Sequence, residues 1–192
     1  MTELPQTVAL ALRVVGVLER LGIPYHVGGS FASAIHGVPR QTRDLDVVVD
    51  LHQQQVDALV GALGSEFFAD PDSIRAALAR GRSANVIHLD SGLKVDLFPK
   101  GGSEYDGVEF ARAQSVPVAA GGSPSIRVKS PEDTVLRKLE WFRAGGDVSD
   151  RQWHDVLGVL KTQSGRLDVA YLRRWARNLG VSDLLERALA LA

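Results

Sequence analysis

The chain has 192 residues, 45% of them apolar, enough for a packed core in one domain or one domain with a helical appendage. Its 22 basic and 23 acidic side chains leave a formal net charge of −1, which excludes a general pull toward nucleic acid or membrane but not a local basic groove. With no cysteine, disulfides, thiolate zinc sites and cysteine nucleophiles are excluded, and a cytoplasmic location fits.

Met1 to Gly22 has no basic leading segment, and Glu3, Arg13, Glu19 and Arg20 interrupt its apolar residues, so no secretory leader is expected. No stretch approaches the roughly 18 consecutive apolar residues of a membrane span, so no membrane partner is expected either. Val8, Leu12, Val15, Leu18 and Leu21 recur at helical spacing and predict a helix over 6–21, ended by Gly22 and Pro24. Tyr25 to Val27 reads as a short strand and Phe31 to His36 as a short helix, with Gly28-Gly29-Ser30 turning the chain between them. Leu45 to Leu51 is rich in β-branched valine and predicts a strong strand. Helical spacing returns over 53–63, Phe67-Phe68 suggests a strand, and a helix is expected from Pro71 to Ala79. Asn85 to Leu89 and Leu93 to Phe98 are two β runs joined by Asp90-Ser91-Gly92 as a tight hairpin. Residues 101–124 are glycine-rich and read as loops with short strands. Ser130-Pro131-Glu132-Asp133 then opens a helix with a capping serine, a proline at the first helical position and acids in the first turn. Two or three further helices follow Gly145-Gly146.

The fold class expected is α+β: a mixed-sheet core with flanking helices over 1–128, and a C-terminal helical segment over 129–192.

Chemistry concentrates in three places. In a strand, residues i and i+2 share a face and lie roughly 6.5 Å apart, so Asp44 and Asp46 point the same way while Leu45, Val47 and Val49 point into the core. Two acids on one face of an apolar strand are unfavourable without a counter-charge, and divalent cations supply one. Asp96, between core-facing Val95 and Leu97, adds a third acid from another strand. Three such carboxylates make an oxygen cage suited to Mg²⁺, and two ions about 4 Å apart can clamp the attacking and leaving oxygens of a phosphoryl transfer. Gly28, Gly29 and Ser30 lie between a strand and a helix. There the glycines allow close backbone approach and the helix N–H groups with Ser30 Oγ can hold phosphate. Gly-Gly-Ser alone is a weak signal, since it recurs at 101 and 121, and Asp70-Pro71-Asp72 repeats Asp-x-Asp as capping chemistry. The ordered combination is far more specific.

That combination resembles the DNA polymerase β-like nucleotidyltransferase superfamily: an apolar strand, Gly-Ser, a spacer, Asp-x-Asp, and a later acid between apolar residues. Gly29-Ser30, Asp44-Leu45-Asp46 and Val95-Asp96-Leu97 match in order and context. The lead-in Arg40-Gln41-Thr42-Arg43 is similar to those of two branches, the nucleotidyltransferase toxins of abortive-infection and toxin–antitoxin systems and the small antibiotic nucleotidyltransferases. Lys138, Arg151 and Asp155 fit the lysine helix and Arg-Asp-x-x-Asp-Leu-like segment of the toxin branch, with Gln152 replacing its first acid.

The resemblance implies a nucleotidyltransferase core fold whose C-terminal helical segment completes the cleft. It implies transfer of a nucleoside monophosphate from an NTP to an acceptor hydroxyl of an RNA end, a protein or a small molecule. The cofactor implied is two Mg²⁺ ions, with Mn²⁺ as a substitute. Asp44 and Asp46 would bind both ions, and Asp96 would complete the second and take the acceptor's proton. Gly28, Gly29 and Ser30 would hold the triphosphate. Lys138 would neutralise phosphate charge or be a solvated lysine beside Glu140. Arg40 and Arg43 would do the same or pair with Asp44 and Asp50. Asp155 would orient Lys138 or be a surface acid. The alternative to an active transferase is a toxin component or nucleotide-binding module whose activity a partner such as an antitoxin protein holds. Trp141, Trp153 and Trp175 are expected in the core, and Arg173, Arg174 and Arg177 on a solvated helix face.

Overall fold

The structure is a computed structural model and describes residues 5–118 and 124–192; Gly121-Gly122-Ser123, the third Gly-Gly-Ser, lies outside them. The chain forms two compact units. Met1–Gly28 with Thr42–Val128 makes the first, and Gly29–Gln41 with Lys129–Ala192 the second.

The first unit holds the sheet. Its strands are β1 (Tyr25–Val27), β2 (Asp44–Val49), β3 (Phe67–Phe68), β4 (Ala84–His88), β5 (Lys94–Pro99), β6 (Gln114–Pro117) and β7 (Ser125–Val128). Among the described residues they form one sheet in the order β3-β4-β5-β2-β1-β7-β6. The β2/β5 and β1/β7 pairs are parallel and the remaining pairs antiparallel, so the sheet is mixed. β2 lies at its centre, and the valine-rich sequence explains why. Leu45, Val47 and Val49 are fully buried on one face, each contributing about 1.5–3 kcal/mol of apolar burial. The intervening Asp44, Asp46 and Val48 stay at least partly exposed on the other. β5 repeats the pattern with buried Val95 and Leu97. The β4–β5 turn closes as expected, with Gly92 N–H donating to the His88 carbonyl at 2.9 Å and Gly92 itself at φ +65°.

Helix α1 (Gln6–Arg20) turns Leu10, Val14, Val17 and Leu18 inward. After a single 3₁₀ turn over Gln53–Gln55 comes α3 (Val56–Leu63), and then α4 (Pro71–Ala79), whose cap Asp70 accepts from Ser73 N–H at 2.9 Å. The capping reading of Asp70-Pro71-Asp72 therefore holds. One helix departs from the sequence expectation. Glu104–Ala111 is α5 rather than loop. Ser103 Oγ accepts from Asp106 N–H at 3.1 Å and Asp106 Oδ2 accepts from Ser103 N–H at 2.8 Å, a reciprocal cap that starts the helix despite the glycines around it. Buried Tyr105 and Glu109 anchor it.

The second unit is helical throughout: α2 (Gly29–His36), α6 (Pro131–Ala144), α7 (Asp150–Thr162), α8 (Val169–Asn178) and α9 (Ser182–Leu191). Ser130 caps α6 by accepting from Asp133 N–H at 3.1 Å, a contact worth about 1 kcal/mol. Val135, Leu136, Leu139 and Phe142 form its buried face. The end of α2 runs against α7: a Cβ on Gly37 would meet Val159 N at 2.8 Å, so only glycine fits there. Trp175 is buried as expected, but Trp141 is 61% exposed. Its helical phase places it beside Arg137, away from Leu136 and Leu139. Among the described residues no helix is long and apolar enough to cross a membrane.

Candidate active site

In the first unit, register on two parallel strands builds the site. Asp44 of β2 is the direct partner of Lys94 on β5, and Asp46 is the direct partner of Asp96. Partners in a sheet share a face and lie about 4.8 Å apart, so the four residues form a two-by-two patch opposite the face that buries Leu45, Val47, Val95 and Leu97. Asn85 of β4, paired with Asp96, extends the same face. Asp44 is exposed, Asp46 half-buried and Asp96 buried. Lys94 Nζ lies 2.9 Å from Asp96 Oδ2. That hydrogen bond holds the Lys94 amine above its usual range; partial burial opposes it, and the charges of Asp96, Asp44 and Asp46 add to it. Lys94 thus senses all three carboxylates. It was not singled out from the sequence, although its phase, two residues before Asp96, is the signal that would have found it.

Gly28 follows β1 directly, and its N–H donates to the Asp46 carbonyl at 2.8 Å, pinning that glycine beside the carboxylate strand. Gly29 has φ +54°, left-handed backbone that costs an L side chain roughly 1–2 kcal/mol.

The second unit gathers the cationic residues. Arg40 grips Asp155 with two parallel bonds, Nε to Oδ1 and Nη2 to Oδ2, each 2.8 Å. The same Nη2 donates to Ser30 Oγ at 2.6 Å. Lys138 Nζ donates to Asp155 Oδ2 at 2.8 Å. Lys138 and Asp155 are both buried, at 7% and 8% exposure, so neither the solvated-lysine nor the surface-acid alternative applies. Arg40 pairs with Asp155 rather than with Asp44 or Asp50, and Asp50 accepts instead from Lys100 at 3.3 Å. Burial pushes the Asp155 carboxyl up, but the hydrogen bonds and charges of Arg40 and Lys138 outweigh it and hold it below the usual carboxylate range. The Arg40 guanidinium is raised in turn by its hydrogen bond to Asp155. Arg43 is exposed just before β2, and Arg151 is exposed on α7. Of that segment, Asp155 is the residue that pairs with Arg40 and Lys138. One turn earlier on α7, the Gln152 Oε1 that replaces an acid is buried without a hydrogen-bond partner among the described residues.

Among the described residues, no three histidine, aspartate or glutamate side chains are drawn into metal-holding geometry as they stand. The donor chemistry of the β2–β5 face nevertheless fits a hard cation. It supplies carboxylate oxygens from adjacent register positions, and Lys94, which approaches them, is a cation.

No protein-family model and no curated protein sequence matches the chain. Solved structures do. ANT(2″)-Ia in complex with adenylyl-2″-tobramycin superposes with a TM-score of 0.53 at 15% identity, covering 91% of this chain and 98% of that one. A nucleotidyltransferase from Thermotoga maritima described as unconfirmed in activity superposes at 0.52 and 18% identity, covering 78% and 92%. An antigenic nucleotidyltransferase-like protein from Paracoccidioides brasiliensis superposes at 0.52 and 14% identity, covering 98% and 95%. The chain shares the α+β, mixed-sheet fold of these three structures.

Proposed function

We propose that the chain is a nucleotidyltransferase that moves a nucleoside monophosphate from an NTP to an acceptor hydroxyl. The observation that carries this reading is the register of Asp46 beside Asp96, with Asp44 two residues away on the same face. Asp44 and Asp46 would hold two Mg²⁺ ions and Asp96 would complete the second; when bound, such ions neutralise phosphate charge and acidify the attacking hydroxyl.

The chain's own groups supply the remaining chemistry. An Asp96 carboxylate oxygen takes the acceptor proton as the acceptor oxygen bonds to the α-phosphorus. The bond from that phosphorus to its bridging oxygen breaks, and pyrophosphate leaves. The Gly28-Gly29 backbone and Ser30 Oγ bind phosphate oxygens. Arg40 and Lys138 offset the triphosphate charge, with Asp155 orienting both. Arg43 adds positive charge near β2.

A small-molecule acceptor is the narrower reading. It is supported by the near full-length match to ANT(2″)-Ia, whose structure contains an adenylylated antibiotic. The deciding experiment incubates the protein with each α-labelled NTP, Mg²⁺ and either tobramycin or a fractionated cell extract. Label in a tobramycin or small-molecule fraction supports the narrower reading, and label in RNA or protein moves the acceptor there. No label in any fraction, with Mg²⁺ or Mn²⁺, rejects the transferase.

A further inference from the structure

We propose that Lys94 is a resident counter-cation of the carboxylate face, which a divalent ion must displace from Asp96 in order to bind. The inference rests on the reading that this face holds metal. It goes beyond that reading by assigning a competitor to the site.

Lys94 reaches the face from the register position opposite Asp44, and its ammonium touches Asp96 at 2.9 Å. Three carboxylates at neighbouring sheet positions repel one another, and the Lys94 ammonium relieves part of that repulsion. Lys94 and a divalent ion would therefore compete for the same carboxylate oxygens. The two partners differ in freedom. Asp96 is fixed in a strand with its side chain 12% exposed, whereas the Lys94 side chain is 39% exposed on a long flexible stem. The lysine can therefore swing into water while the carboxylates remain in place. An ammonium binds as a point charge without fixed ligand geometry, so displacement breaks one hydrogen bond and leaves the donor set intact.

The test is Mn²⁺ titration of the full chain without nucleotide, followed by electron paramagnetic resonance. Thermal melts confirm that each variant is folded. Lys94→Met should bind Mn²⁺ ~tenfold more tightly than wild type, because one unit of positive charge has left the site. Lys94→Arg should stay near wild type, and Lys94→Gln serves if Lys94→Met does not fold. Equal affinity in wild type and Lys94→Met overturns the role of Lys94. In that case, loss of Mn²⁺ binding in Asp46→Asn would leave the metal site standing. No Mn²⁺ binding by any variant removes the metal reading and the role of Lys94 together.

Discussion

Asp46 and Asp96 stand side by side as direct register partners on parallel strands, although fifty residues of chain separate them. Parallel pairing requires a crossover, and here the intervening α3, α4, β3 and β4 supply it. Two carboxylates at one level of a sheet repel unless something positive sits with them. The buried side chains of these strands, Leu45, Val47, Val95 and Leu97, lie on the opposite face.

Asp46→Asn should therefore abolish transfer and spare the fold. Removing one ligand of a charge-stabilising site costs on the order of 10²–10³ in kcat. Removing one of several crowded negative charges should shift Tm by less than about 3 °C. Label transfer and a thermal melt on the same preparation check both. A variant that unfolds would make Asp46 a structural residue.

Asp155 should behave in the opposite way. It is buried and serves two cations, so Asp155→Ala removes the carboxylate that Arg40 and buried Lys138 share. Breaking one side of a buried pair costs about 3–5 kcal/mol, and the lower end is expected because Arg40 is partly exposed. Urea unfolding of Asp155→Ala should show that loss. The double variant Asp155→Leu/Lys138→Met should recover most of it.

Much of this was legible in the sequence, for identifiable reasons. The alternation of Asp44 to Val49 admits only one inward face, so the carboxylate face followed from the pleat alone. The caps at Ser130 and Asp70 fixed two helix starts for the same local reason. Long-range pairing left no such trace. That Arg40 would find Asp155, 115 residues away, rather than nearby Asp44 or Asp50, depends on α2 packing with α6 and α7. Helix α5 was hidden because glycine content outweighed a single capping pair. Lys94 is legible only through its phase, two residues before Asp96 on the same face of β5.

His36 gives a pH signature. It ends α2, is 6% exposed, and donates from Nε2 to the Lys129 carbonyl at 2.7 Å. Burial pushes its pKa below the ordinary 6.5, and the Lys129 bond and the Glu132 charge offset this only in part. The folded state then binds fewer protons than the unfolded state just below pH 6.5. Stability is full above that value and falls as the pH drops toward the folded pKa. His36→Gln keeps an N–H donor and removes the titration. Urea midpoints at pH 7.5 and 5.5 should fall further for wild type than for this variant, and equal falls would exclude His36 as the source.

Lys138 tests whether the helical unit takes part in nucleotide binding. The triphosphate of an NTP carries about four negative charges, and bound cations offset only part of them. Buried Lys138 shares Asp155 with Arg40, and Arg40 also contacts Ser30, so the phosphate-binding residues proposed for this unit are already linked. Lys161, near the end of α7, is exposed and supplies a control of the same charge. Lys138→Ala should weaken NTP binding by about tenfold or more, roughly the 1.4 kcal/mol expected for one charge-assisted contact. Lys161→Ala should change it by less than about twofold, as a solvent-screened charge does. Isothermal titration with Mg²⁺ present measures both, and melts beforehand separate lost binding from lost fold. Lys138→Arg adds a further distinction, because it keeps the charge but changes the geometry against Asp155. Partial recovery by arginine would indicate a phosphate-neutralising cation. Equal effects of Lys138→Ala and Lys161→Ala would confine nucleotide binding to the unit that carries Asp44, Asp46 and Asp96.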